Sequence, residues 1–240
     1  MKKQTDLFSH PVGKCLTVFF SEMAVMTDTV WISLMMVSLS SVAYVNVGRD
    51  LWDRTILKDV MWRYHWGEHL KPEEFPKAFY HDYYDTKLKK LPDFFDADGF
   101  YCFSAHGMAA FKNFNLGEGG FVPAKIYQYD RTTAVEGDYY CLNFGARKHA
   151  CVVEKSQSIN RTSGGRFPFR VRADCEDYDI VVSKSAFLGA DLWTDSNLGE
   201  AVFMSDRLVK SLSAQGLTEK LDLRRCLFVD DNSVGDVCHV

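Results

Sequence analysis

The sequence predicts an α+β fold: a helical N-terminal part, then a mixed, mostly antiparallel sheet region with two strand–Ser–helix–strand units. Three observations predict it. Apolar residues in the first part of 49–92 recur at helical spacing. From Phe100 onward the chain changes to short β-branched or aromatic runs separated by Gly, Asn and Asp. One pattern occurs twice, over 99–127 and 201–228: an apolar strand, a serine, a helix, a glycine break and a second strand. The expected organisation is a hydrophobic N-terminal segment (1–48), a helical part (49–92) and an α+β domain (93–240). With 47% hydrophobic and 25% charged residues, the composition is that of a globular chain able to bury a sizeable core.

Taken in order, the first element is "TVWISLMMVSLSSVAYVNVG", Thr29 to Gly48, which carries no charge. Its length passes the threshold of about 18 residues at which a membrane span is considered. Ser33, Ser38, Ser40, Ser41 and Asn46 dilute it, and the flanks pair Asp28 with Arg49, giving no positive-inside bias. A leader cleaved after Ala43 would be overlong and would hold Asp6, Glu22 and Asp28; a start at Met26 or later is a further alternative. The reading taken is a buried, partly helical core segment, with a membrane span through 29–48 as the alternative.

Next, Leu51, Trp52, Ile56, Val60 and Met61 predict an amphipathic helix between Arg49 and Tyr64. A second helix is expected over "KAFYHDYYDTKLKKLP", where Phe75, Phe79 and Tyr83 recur every four residues. Its lysines suit a helix C-terminus and Pro92 closes it. The runs "FYCF", "FVPAKIY", "DYYCLNF", "HACVV", "FRVR" and "YDIVVS" predict strands, and "NRTSGGRFP" is the clearest loop. In the repeated unit, Ser104 and Ser205 stand at helix N-caps. Met108 and Phe111 match Val209 and Leu212 on one buried face, and Gly117 and Gly216 stand where C-terminal caps are expected. Gly107 falls inside the first of these helices.

A formal net charge of −4 argues against nucleic acid as a partner and allows a basic protein partner. Seven cysteines, odd in number and without C-x-x-C spacing, point to a reduced compartment, the cytoplasm. "HWGEH" places His65, Glu68 and His69 in the inverted zinc-protease order, so a zinc-dependent hydrolase is one functional alternative. The two histidines would have to share one helical face, yet Gly67 interrupts and Pro72 follows, and only Glu136 or Glu154 offers a third ligand. With Trp62, Tyr64 and Trp66 around it, the motif reads as a helix end with an aromatic cluster. "DFFDADGF" offers Asp93, Asp96 and Asp98, but with Gly99 at the sixth loop position the first and twelfth fall on Phe94 and Ala105, neither an oxygen ligand. It reads as a turn. "GEGG" and "SGGRF" lack phosphate-loop spacing, and Cys141, His149 and Cys151 lack a second pair. The expectation is no catalytic residue, no metal and no cofactor. What remains is surface: "FYHDYYD" (79–85) gives Tyr80, Asp82, Tyr84 and Asp85 the composition of an interface centre. The competing reading is a helix burying Phe79 and Tyr83 with Asp82 and Asp85 in water.

Residues 91–229 resemble the immunity-11 family, immunity proteins encoded beside bacterial polymorphic toxins. The likeness rests on an ordered set: "LPDFF", "YCFSAHGMAAF", "GFVPAKIY", "GDYYCLNF", "CVVEKS", "ADLWTD" and "VFMSDRLVKSLSAQGLT". The hydrophobic N-terminal segment and Gly107 depart from it. The resemblance implies a non-catalytic protein that occludes a cognate toxin, and the acidic balance would suit a basic toxin domain. A membrane-anchored protein of the same role is the variant that a span through 29–48 would imply.

Overall fold

The computed structural model describes residues 28–35, 37, 45–48, 52–163 and 168–230. Residues 1–27, 36, 38–44, 49–51, 164–167 and 231–240 lie outside it, and with them most of the leader reading, the middle of the hydrophobic segment, the first residues of the expected 49–64 helix and part of the "NRTSGGRFP" loop.

The chain is mixed α and β, mostly sheet, with few helices among the described residues. In order the elements are β1 (Val30–Ser33), β2 (Val45–Asn46), α1 (Arg54–His65), β3 (Ala78–His81), β4 (Phe94–Ala97), β5 (Phe100–Ser104), α2 (Ala105–Ala109), β6 (Gly120–Tyr127), β7 (Tyr139–Asn143) and β8 (Arg147–Lys148). There follow β9 (Ile159–Arg161), β10 (Phe169–Val171), β11 (Val181–Val182), β12 (Leu192–Asp195), β13 (Leu198–Gly199), β14 (Val202–Ser205), α3 (Asp206–Ala214), β15 (Leu223–Arg225) and β16 (Leu227–Phe228). A six-stranded sheet runs β2-β3-β6-β7-β5-β4 and a five-stranded sheet β15-β1-β14-β12-β8. Pairings are mostly antiparallel, with parallel contacts at β3–β6, β8–β12, β10–β13 and β11–β16.

The repeated unit is present and extends beyond its sequence pattern. Each copy is a pair of antiparallel strands, β4–β5 or β12–β14, running into a helix, followed by a third strand, β6 or β15. In the sheets these lie as β4-β5-β7-β6 and β12-β14-β1-β15, every neighbouring pair antiparallel. An aspartate just before the first strand latches each copy. Ser104 N–H donates to Asp93 O at 3.1 Å and Ser205 N–H to Asp191 O at 2.8 Å. Both serine hydroxyls donate to the same aspartate's Oδ1 while accepting the helix N–H of Gly107 or Leu208. A base two residues past the serine, His106 or Arg207, reaches the other carboxylate oxygen. Asp98 (φ 53) and Gly99 (φ 96) close the β4–β5 hairpin in the left-handed pair that an Asp-Gly turn supplies.

This arrangement explains the uncharged N-terminal segment. Its strand β1 occupies the middle of the second unit, between β14 and β15. Val30 and Ile32 join Trp193 and Phe203 in one core cluster, whereas Trp31 packs with Leu192 and Met204 toward the other. A strand buried on both faces can carry no charge. The described residues of the segment are thus mostly buried, and they form strand rather than helix. No helix among the described residues is long and apolar enough to cross a membrane.

The helical N-terminal part is corrected. Among the described residues of 49–92 the one α-helix is α1, begun by Asp53, whose carboxylate accepts the N–H of Thr55 at 2.8 Å and Ile56 at 3.2 Å. The helix expected from Phe75 is instead strand β3 followed by irregular chain to Pro92. β6 offers Ala78–Tyr80 a parallel partner, and Phe79 is fully buried in the sheet's apolar face, worth about 2–3 kcal/mol. Two smaller corrections concern α2 and "HACVV". α2 ends at Ala109, so Phe111 sits in following turns and Gly117 lies well past the helix, whereas Gly216 does cap α3. Cys151 makes one isolated bridge to Val182, and Val153–Lys155 is a 3₁₀ turn.

Candidate protein-docking face

Strand β3 sends Phe79 inward and Tyr80 outward. Parallel register sets Tyr80 opposite Tyr127 of β6, and the rings stack at 6.0 Å with 20° between planes. The Arg131 guanidinium lies over Tyr80 at 5.4 Å, a cation–π contact. After His81 the chain leaves the sheet as an exposed strap, 82–90.

The strap is pinned at two points. Gln128, itself buried, mimics a strand neighbour: its Nε2 donates to Leu88 O at 2.7 Å and its Oε1 accepts Leu88 N–H at 3.1 Å. Further on, Leu91 N–H donates to the Tyr139 hydroxyl at 3.1 Å, which donates in turn to Glu136 O at 2.6 Å. Thus held, the strap presents Tyr83 and Tyr84 to solvent, and Tyr84 meets Tyr129 edge-on at 6.1 Å. Tyr84 is 82% exposed and Tyr129 54%, which is far more aromatic surface than packing alone requires.

Charges of both signs flank these aromatics, with Lys87, Lys89 and Lys90 exposed on the same strap as two aspartates. Asp82 accepts from Asn46 Nδ2, and Asp85 is exposed. Asp130 accepts from the Thr133 hydroxyl and from the backbone of Thr133 and Thr132, and those bonds hold its carboxyl down at about 2. It is therefore anionic at every physiological pH. A tyrosine surface held in place and flanked by charges of both signs can take apolar stems and charged heads of another protein.

All four residues singled out in the sequence, Tyr80, Asp82, Tyr84 and Asp85, lie in β3 or the strap, Tyr80 as part of the platform and the rest exposed. Sequence reasoning missed Tyr127, Gln128, Tyr129 and Arg131. The alternation Tyr127-x-Tyr129-x-Arg131 at the end of a strand run was the available signal. The competing reading is half corrected: Phe79 is buried, but Tyr83 is exposed.

The other motifs do not gather. α1 ends at His65, whose Nε2 lies 2.9 Å from Gly99 O, while His69 Nδ1 lies 2.9 Å from Phe144 O. His69 is outside the helix, so the pair cannot share a helical face. Cys141 sits against Cys102 (Sγ–Sγ 3.5 Å), His149 against Ser196 and Cys151 near Ser156. Asp93, Asp96 and Asp98 each accept hydrogen bonds that shape the hairpin or its surroundings. Among the described residues no group of three His, Cys, Asp or Glu is placed to hold a metal ion.

No protein-family model matches the chain, and no curated protein matches it.

Proposed function

We propose that the chain is an immunity protein, which neutralises a cognate bacterial toxin in the cytoplasm by binding and covering it, without catalysis. The observation that carries this is the exposed tyrosine surface where Tyr84, on a strap that Gln128 pins, meets Tyr129. Such an arrangement has a cost in solubility and no role in the core, and it suits a docking surface already ordered before the partner arrives. The motif set resembling the immunity-11 family supports the same reading. The chain's formal net charge of −4 favours a basic toxin domain and steers its approach.

The test is co-expression with the toxin encoded immediately upstream. The wild-type chain rescues growth; the Tyr84→Ala, Tyr129→Ala double variant binds about 10–100-fold more weakly and rescues poorly. Both positions are exposed, so circular dichroism of the variant matches wild type. Death of cells carrying the wild-type chain would end the immunity reading. Full rescue by the double variant would move the contact elsewhere.

A further inference from the structure

The N-terminal half of α1 has little beneath it. The helix's buried residues, Val60 and Tyr64, lie toward its C-terminal end, while Ile56 is 59% exposed. Ile56 and Val60 stand one turn apart on α1, and Trp52, just before the helix, lines the same cleft, so one apolar stripe runs from solvent into the core. It lines a cleft of about 440 Å³ between α1 and the 3₁₀ turn Pro72–Glu74.

Charge around this cleft is one-sided. Asp59, Glu73 and Glu74 line it against a single cation, Arg63. That guanidinium is already engaged: it bonds Asp59 at 3.1 Å and Glu74, with Glu68 at 4.0 Å. Its hydrogen bond holds the Glu74 carboxyl below the usual range, so the rim stays anionic. Two other cations of the helix, Arg54 and Lys58, line a different cleft, with Leu57, Met61 and Asp98. The apolar stripe thus lies beside Asp59, Glu73 and Glu74 with Arg63 among them, away from Arg54 and Lys58.

We infer that this groove receives a basic amphipathic segment of a partner protein, its apolar side against Trp52 and Ile56 and its cations against Asp59 and Glu73. A segment lying there reproduces helix-in-groove recognition, with the stripe as floor and the carboxylates setting the sign of the guest. The inference is separate from the tyrosine surface and stands or falls without it.

Two synthetic helical peptides of about sixteen residues test it. Both carry leucines along one face; one has arginines on the flanks, the other glutamates. Calorimetry with the full chain at low and physiological salt is the measurement. The arginine peptide binds, more weakly as salt rises, and the glutamate peptide does not. Ile56→Lys and Glu73→Lys each weaken binding by about tenfold or more, a change of about 1.4 kcal/mol. Tyr84→Ala leaves it unchanged. Equal binding of the two peptides, unchanged binding in Glu73→Lys, or loss in Tyr84→Ala would each overturn the groove. Should Ile56→Lys melt early, the fully exposed charge reversal at Glu73 decides alone.

Discussion

The two strand–Ser–helix units share one latch yet are assembled from different parts of the chain. In the first, the strand between β5 and β6 is β7, which follows both in sequence. In the second, the strand between β14 and β15 is β1, which precedes both and comes from the opposite end of the described chain. The latch itself is local: an aspartate, its serine and a helix N-terminus within one short stretch. The difference teaches that the local device fixes where each helix begins, while the middle strand can come from either direction provided it is apolar on both faces. It also accounts for helix length. Gly107 packs against the Asp93 carbonyl, where a Cβ would stand 2.4 Å from the oxygen, and α2 stops after five residues; Leu208 occupies the matching place in the nine-residue α3.

Removing the aspartates should separate the units most sharply. Asp191 is 2% exposed and accepts from Ser205, Arg207 and the Asn115 N–H. Asp191→Ala takes the buried acceptor away from the half-buried Ser205 hydroxyl, the Asn115 N–H and Arg207 together and should cost about 3 kcal/mol. Asp93→Ala, at a partly exposed carboxylate, should cost about 1 kcal/mol. Urea denaturation compares them; equal losses would mean the two latches bear equal strain after all. Gly107→Ala comes next. Ala is the better helix former by about 1 kcal/mol, but the clash is with backbone and cannot be relieved by a rotamer, so a net loss of about 2 kcal/mol is expected. A stabilised variant would show that Gly107 does not limit α2.

Acid sharpens the comparison further. Burial works to raise the Asp191 carboxyl, but hydrogen bonds from Arg207, Ser205 and the Asn115 N–H outweigh it and hold it below its ordinary value. Burial likewise opposes, and bonds from Ser104 and His106 outweigh it, at Asp93. A carboxyl depressed in the folded state contributes stability that is complete above its unfolded value and lost as pH falls through the folded one. The urea midpoint should therefore hold between pH 7 and 5 as far as these groups are concerned, and fall below about pH 4. Asp191→Asn should flatten that acid limb more than Asp93→Asn does.

How much of this could be read in advance depends on distance along the chain. Ser104, Ser205 and the Asp98-Gly99 turn were legible because each acts on neighbours within a few residues. The runs at β5, β6 and β7 were legible from their aromatic and β-branched content. β3 was not: Phe75, Phe79 and Tyr83 satisfy helical spacing, and only the parallel partner β6, far downstream, selects strand. β1 was hidden for the same reason, since a strand buried on both faces loses its alternation. At the docking face, composition pointed to Tyr80 and Tyr84. Their neighbours Tyr127 and Tyr129 come beside them only through the β3–β6 register and the Gln128 clamp.

The smallest effect concerns the bases that complete each latch. His106 and Arg207 are both largely exposed, with side-chain exposures of 62% and 65%. Exposed ion pairs are screened by solvent, and His106→Ala should cost no more than about 0.5 kcal/mol. Arg207 differs in its partner: it donates through two nitrogens to a carboxylate that is itself buried, and its guanidinium lies 5.7 Å from the Phe114 ring. Arg207→Ala should therefore cost more than His106→Ala, though less than breaking a fully buried pair because water replaces the guanidinium. It should also let the Asp191 carboxyl rise, so the acid limb of the urea midpoint moves to higher pH, whereas His106→Ala shifts it less. Identical acid limbs in the two variants would show that Ser205 and the Asn115 N–H alone hold Asp191 ionised, and that the guanidinium is ornament on a latch already complete.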